Sequence, residues 1–307
     1  MSLKIVDFNE KYDYPIAVAL GFFDCIHIGH VQLVKAVKNY AESHSNTRSA
    51  LFTFCNDPSD FLNKSKEIYT FADRVAVLDN LGLDVVIKAK FDLDFMSMSP
   101  DEFVSKLLEK NIKAIAVGSD YTFGKNAEGK VDDLRAVCKK NDIELIVVPF
   151  EKIDGQKLST SYLKTLVQSG NVACLNKFLS EPYFMSGIVK HAKHNGTGLG
   201  FPTANIEINP NRMLVCDGIY ATLTIIDGRK YYSMTNVGTK PTFNDDSVSI
   251  ETYVFDFDKD LYGKEIKIEF IERTRDIVKF SSAEQLRDRL ADDEIQIRNI
   301  LKNRSLL

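Results

Sequence analysis

Ile16-Ala-Val-Ala-Leu-Gly21-Phe-Phe-Asp24-Cys-Ile-His27-Ile-Gly29-His30 is the stretch that decides the fold. An apolar run ends on a glycine, and a helix-like segment follows from Ile28 to Ala41. A buried strand feeding a helix through a short glycine-bearing loop is how a parallel, helix-covered sheet begins. His27 and His30 fall on one face of the first helical turn. Gly29 leaves room for a phosphate to approach the backbone, and the helix N-terminus adds unsatisfied N–H groups and partial positive charge. Such a site stabilises charge on nucleotide phosphates without a nucleophile. The competing reading makes the two histidines surface residues or zinc ligands. Zinc would want further ligands, and the other histidines are His44, His191 and His194.

Outward from this stretch the alternation continues. Ser49–Phe54, Asp84–Ala89, Ile112–Val117 and Ile143–Pro149 read as strands. Phe71–Asn80, Pro100–Glu109 and Asp132–Lys140 read as the helices between them. Two short helices are expected at Thr160–Gln168 and Val172–Leu179, the first stopped by Gly170 and the second capped by Asn171. Glu181-Pro182 breaks the pattern. Beyond it the period shortens: Tyr183–Val189, Gly218–Ile226, Lys230–Val237, Ile250–Phe257 and Ile266–Ile271 predict an antiparallel barrel or sandwich. The tail predicts a long amphipathic helix, with Ser281 and Glu284 as a capping box and Leu286, Leu290, Ile295, Ile297 and Leu301 on its apolar side. The domain boundary is expected near residue 182, giving domains 1–182 and 183–307.

Composition narrows the function classes. The chain is 44% hydrophobic and 27% charged, which excludes wholesale disorder. With 39 basic and 43 acidic residues the net charge is −4, against a basic nucleic-acid-binding module. No run approaches the ~20 apolar residues of a membrane span, and the first residues have no secretory-signal layout. Cys25, Cys55, Cys138, Cys174 and Cys216 are scattered and odd in number, suiting a reducing cytoplasm.

The opening stretch resembles the first motif of the nucleotidylyltransferases, G-F-F-D-x-x-H-x-G-H, in the version used by the bacterial bifunctional riboflavin kinase/FAD synthetase family. Further matches follow in family order. Thr53-Phe54-Cys-Asn-Asp57-Pro58 stands where the family shows T-F-x-P-H-P. Val117-Gly118-Ser-Asp120-Tyr-Thr-Phe123-Gly124-Lys125, ending at Gly129, is similar to V-G-x-D-F-x-F-G-K-x-x-x-G. Ser159-Thr160-Ser161-Tyr-Leu163-Lys164 stands at S-S-T-x-I-R. Three departures are visible: Cys25 for glycine, Asp57 for histidine and Lys164 for arginine. Lysine keeps the charge but not the bidentate fork, and Asp57 brings a negative charge to a loop expected near flavin phosphate or ATP.

The second half carries a second set. Gly196-Thr-Gly198-Leu-Gly200-Phe-Pro202-Thr203-Ala-Asn205-Ile resembles the riboflavin kinase motif G-x-x-L-G-x-P-T-A-N-I. Its glycines suit a loop whose amides wrap phosphate oxygens. Thr203 and Asn205 offer neutral oxygens to a magnesium ion. A plain β-turn beside a satisfied Thr/Asn pair is the bland alternative. Asp217-Gly218-Ile-Tyr220-Ala, Asn236-Val-Gly238-Thr-Lys-Pro241-Thr-Phe243, Glu251-Thr-Tyr-Val-Phe-Asp256-Phe and Arg275 with Phe280 match the remaining signatures.

The resemblance implies an α/β fold: an N-terminal Rossmann-like nucleotidylyltransferase domain, then an antiparallel β-barrel riboflavin kinase domain with a C-terminal helix. It implies phosphorylation of riboflavin to FMN and adenylylation of FMN to FAD, with Mg-ATP and no nucleic-acid or membrane partner. Glu251 would accept the proton of the ribityl 5′-hydroxyl. His27 and His30 would hold the α-phosphate. Gly21, Phe22, Asp24, Gly29, Gly118, Asp120, Phe123, Gly124, Ser159, Thr160, Ser161 and Lys164 would surround ATP in the first domain. Gly196, Gly198, Gly200, Pro202, Thr203 and Asn205 would do so in the second. Asp57, Asn236 and Arg275 would contact flavin. The alternatives are a kinase with a degenerate or regulatory N-terminal domain and a flavin-sensing protein without turnover. Self-association is left open.

Overall fold

A computed structural model describes residues 2–56, 58, 66–149, 152–153, 156–190, 200–239 and 248–304. The chain forms two compact units, 1–160 and 161–307.

The first unit is a six-stranded parallel sheet. Its strands are β1 (Lys4–Asp7), β2 (Ile16–Leu20), β3 (Arg48–Phe54), β4 (Val85–Ala89), β5 (Ile112–Gly118) and β8 (Glu144–Val148), in the order β1-β4-β3-β2-β5-β8. A short antiparallel pair, β6 (Thr122–Phe123) with β7 (Gly129–Lys130), follows β5. A second pair, β9 (Lys152–Ile153) with β10 (Gln156–Lys157), follows β8. The helices are α1 (Ile28–Ser43), α2 (Phe71–Asn80), α3 (Leu93–Ser97), α4 (Pro100–Leu108) and α5 (Val131–Lys140). All five residues of β2 are buried, which is why it reads as an unbroken apolar run and not as an alternation. Thr70 and Ser99 close capping boxes with Asp73 and Glu102, and so fix where α2 and α4 start. The edge strand β1 is not evident in the sequence: four residues with one buried side chain show too little periodicity.

The second unit is a closed antiparallel barrel of β11 (Phe184–Lys190), β12 (Ala204–Ile206), β15 (Val248–Val254), β14 (Arg229–Thr239), β13 (Gly218–Ile226) and β16 (Glu265–Arg275), in that order. A barrel is one of the two architectures that the short-strand pattern allows. It is preceded by α6 (Thr160–Gln168) and α7 (Val172–Leu175), and followed by α8 (Ala283–Asn303). Ile297 and Leu301 of α8 pack on Ile219, Ala221, Leu223, Met234, Phe255 and Ile271.

By contacts residues 161–182 fall in the unit of the barrel, where Asn176 donates to the Phe270 carbonyl at 2.8 Å and accepts from the Tyr183 amide at 2.8 Å. Three expectations are corrected. The helix expected to reach Leu179 ends at Leu175, and Phe178 and Leu179 are buried beyond its end. The cap of α8 is Ser282, accepting from Gln285 N, while the Ser281 hydroxyl donates to Gln285 Oε1. Ile295 is 63% exposed. It stands two residues before Ile297, on the far side of the helix.

Candidate functional site

The strand order reverses between β2 and β5, and open parallel sheets hold ligands at the carboxyl edge of such a switch point. A cavity of about 280 Å³ lies there. Gly21, His27, Gly29 and His30 reach it after β2, Gly118, Asp120 and Tyr121 after β5, and Leu158, Ser159 and Thr160 at the start of α6. Ser161 and Lys164 lie further along α6, in the second unit, and are not among the lining residues.

The two histidines have defined tautomers. His27 is the N-cap of α1, and its Nδ1 accepts the His30 backbone N–H at 3.1 Å. The neutral ring therefore carries its proton on Nε2. His30 Nδ1 lies 2.5 Å from the Cys25 carbonyl, which can only accept, so Nδ1 is the donor and Nε2 holds a lone pair. The rings stack with centroids 3.5 Å apart, and the Phe23 ring meets His30 edge-on at 4.7 Å. Burial lowers the His27 pKa to about 4. Burial, and then the neighbouring His27, push His30 well below its ordinary value. Both imidazoles are neutral at neutral pH. A Cβ on Gly29 would press the His27 ring at 3.2 Å, which explains the glycine between them. Phe23 turns the chain from strand to helix with a left-handed φ of 56°, a conformation that costs of the order of 1–3 kcal/mol.

Beside this cavity is a second one of about 410 Å³, walled by Phe22, Phe52, Phe54, Phe91, Phe95, Phe103 and Phe123. Its aromatic lining suits a flat apolar ring. Phe22, Phe123 and Gly124, expected around phosphate, lie here instead, because their loops run along the aromatic side of the switch point. Asp24 lines neither cavity. It is buried, and its Oδ1 accepts the Ile68 amide at 2.8 Å. Asp57 lies outside the described residues.

The sequence reading also missed Arg74. Wholly buried, it donates to the Phe22 carbonyl (3.0 Å), Thr53 Oγ1 (2.7 Å) and the Phe54 carbonyl (2.9 Å), and it lies 3.7 Å from Glu67. One cation thus ties together two walls of the aromatic cavity. Nothing local marks it, since an arginine in an amphipathic helix ordinarily reads as surface.

In the second unit a single row crosses the barrel: Asn205 on β12, Glu251 on β15, Asn236 on β14, Ile219 on β13 and Arg275 on β16. Glu251 therefore stands directly between two asparagines. Among the described residues the buried Oδ1 atoms of Asn205 and Asn236 have no hydrogen-bond partner, a cost that a ligand or ion would relieve. Glu251, Asn236, Thr203 and Arg275 line a cavity of about 310 Å³, together with Phe201, Tyr253 and Ile277. The Arg275 guanidinium is already paired, with Nε 2.9 Å and Nη2 2.5 Å from the buried Asp293 carboxylate of α8. A neighbouring cavity of about 340 Å³ is lined by Pro202, Thr203, Thr252, Asp258 and Tyr262. Thr203 is common to both. Gly200 takes a left-handed φ of 86° just before them, and Gly196 and Gly198 lie outside the described residues.

Residues 9–162 match the family model for FAD synthetase, and residues 179–301 match that for riboflavin kinase. A bifunctional riboflavin kinase/FMN adenylyltransferase of Bacillus subtilis is 34% identical, over 90% of this chain and 90% of that protein. The same enzyme of Listeria monocytogenes is 32% identical, over 93% and 92%. A Streptococcus pneumoniae crystal structure described as a macrolide-efflux protein has a TM-score of 0.85 at 30% identity, covering 96% of this chain and 99% of that one. Among the described residues here, no helix is long and apolar enough to cross a membrane.

Proposed function

Because the chain belongs to the family of bifunctional riboflavin kinases/FMN adenylyltransferases, we propose that its two cavity pairs divide the chemistry of making FAD from riboflavin. The barrel phosphorylates riboflavin to FMN with ATP. The parallel-sheet unit joins FMN to AMP from a second ATP and releases pyrophosphate. Functionally, residues 1–182 serve the adenylylation and residues 183–307 the phosphorylation. The scattered cysteines, odd in number, suit work in the cytoplasm.

In the barrel, riboflavin occupies the cavity beside Glu251 and ATP the cavity beyond Thr203. The 5′-hydroxyl oxygen attacks the γ-phosphorus, its proton passes to the Glu251 carboxylate, and ADP leaves. Asn205 and Asn236 hold Glu251 and the hydroxyl in one row. Thr203 and the unpartnered Asn205 oxygen are hard, neutral donors that fit Mg²⁺. When bound there, that ion neutralises charge on the nucleotide phosphates.

In the sheet unit, the flavin ring lies among the phenylalanines and the nucleotide lies over His27 and His30. An FMN phosphate oxygen attacks the α-phosphorus as the bond to pyrophosphate breaks. The His27 Nε2–H donates to an α-phosphate oxygen. His30 Nε2, which carries a lone pair while the ring is neutral, takes up a proton as the anion arrives, since nearby negative charge favours the imidazolium. Ser159 and Thr160 stand at the wall for the leaving phosphates.

The observation that carries this reading is the Asn205–Glu251–Asn236 row, a carboxylate flanked by two buried asparagine oxygens that lack partners. Chromatography of products from riboflavin, ATP and Mg²⁺ tests it. FMN should appear first and FAD after it. FMN without FAD would reduce the sheet unit to a binding or regulatory role, and absence of both would end the reading.

A further inference from the structure

Gly21 and Tyr121 line both cavities of the sheet unit. A flavin nucleotide with its ring among the phenylalanines and its phosphate against the nucleotide has to pass between them. Gly21 brings no side chain to this neck, and Tyr121 brings a phenol.

The Tyr121 ring is held firmly. Its amide donates to the Gly118 carbonyl at 3.1 Å, closing a tight turn after β5. The ring stacks on Phe123 at 5.9 Å with an interplanar angle of 16°. Phe123 is seated in turn against Phe103 and over Gly129, where a Cβ would come within 2.7 Å of the Phe123 ring. The hydroxyl has no hydrogen-bond partner among the described residues. Burial raises its pKa far above the ordinary phenol range, so at working pH the group is a neutral donor. Standing in the lining of both cavities, this donor is available to an acceptor that arrives with the ligand.

We propose that Tyr121 is a specificity-determining residue for the adenylylation, its hydroxyl donating to a phosphate oxygen of the flavin nucleotide at the neck between the two cavities. It discriminates phosphorylated flavin from the bare ring, which the phenylalanines alone hold equally well. The family pattern V-G-x-D-F-x-F-G carries phenylalanine at this position, so the bond is a feature of this chain and not of the shared motif. The inference rests on the assignment of FMN adenylylation to this unit.

Tyr121→Phe removes one oxygen and leaves the ring. With FMN and ATP as substrates, its KM for FMN should rise on the order of 10-fold or more, as expected for loss of a hydrogen bond to a charged acceptor. The inhibition constant of lumiflavin against FMN, which reports ring binding without a phosphate, should stay within about twofold. A role in shaping the cavity would move both constants together, and that result overturns the proposal, as does an unchanged KM for FMN. Wild-type protein that makes no FAD from FMN would sink the underlying assignment instead.

Discussion

The sheet unit and the barrel solve one geometric problem with opposite chemistry. Each places two cavities side by side and joins them at a neck, Gly21 and Tyr121 in one and Thr203 in the other. In the barrel a carboxylate set between two amides lines one of the cavities. In the sheet unit two stacked, neutral imidazoles line one of them. The nucleophiles explain the difference. A ribityl hydroxyl keeps its proton at neutral pH and needs a base. A phosphate monoester, with its second pKa near ~6, is already largely an anion and needs none. The second site has instead to tolerate negative charge gathering around the α-phosphorus, which calls for donors.

The sharpest way to break this comparison is Glu251→Gln, which keeps the shape and removes the base. FMN formation from riboflavin should fall about 10²–10⁴-fold, while adenylylation of supplied FMN continues. Two assays on one folded variant check it, one started from each flavin. Full kinase turnover would remove Glu251 from the chemistry and leave the barrel without a base.

His30→Ala should produce the reverse pattern, with FAD formation down about 10²-fold and riboflavin phosphorylation unchanged. The structure adds a finer expectation. Because Nδ1 is committed to the Cys25 carbonyl, binding of the nucleotide should be accompanied by proton uptake at Nε2. Calorimetry in buffers of different ionisation enthalpy reads that uptake directly, and it should vanish in the variant. Equal loss of both activities in a folded variant would contradict two separate sites.

What the sequence disclosed follows the same physical line. Local signals were legible: the strand–glycine–helix start at Gly21, the α2 span and the Gly218–Ile226 strand lie where period and caps predict. Features assembled from distant segments were not. The aromatic cavity draws single phenylalanines from positions as separate as Phe22, Phe54, Phe95 and Phe123, and no window of the sequence contains more than a fragment of it. The three-residue strand β12 is too short to show a period, yet it sets Asn205 opposite Glu251. The Ser281–Glu284 motif has the right residues for a cap, but the neighbouring Ser282–Gln285 pair takes that place, a shift of one residue that motif spacing cannot resolve. Tyr121 stands within the Val117–Lys125 motif, but its position at a neck depends on the packing of distant segments.

The smallest expected effect concerns stability, and it should separate the units once more. His27 folds with a pKa of about 4, against 6.5 for the free side chain, through burial. Its folded pKa is thus depressed, so between these values the unfolded chain binds the extra proton and acid favours unfolding. Stability is complete above the unfolded pKa and declines as pH falls from about 6.5 toward 4. At pH 5 the loss from this one group is about 2 kcal/mol, and His30 adds to it in the same direction. Protonation at Nδ1 would also remove the acceptor that caps α1. Hydrogen exchange followed from pH 7 to pH 5 should therefore show the amides of α1 and β2 losing protection before those of the barrel strands β13 and β14. His27→Asn, which keeps a capping oxygen without the titrating ring, should flatten most of that dependence. Barrel amides that opened first, or a variant with an unchanged profile, would show that the buried histidines are not what makes the sheet unit sensitive to acid.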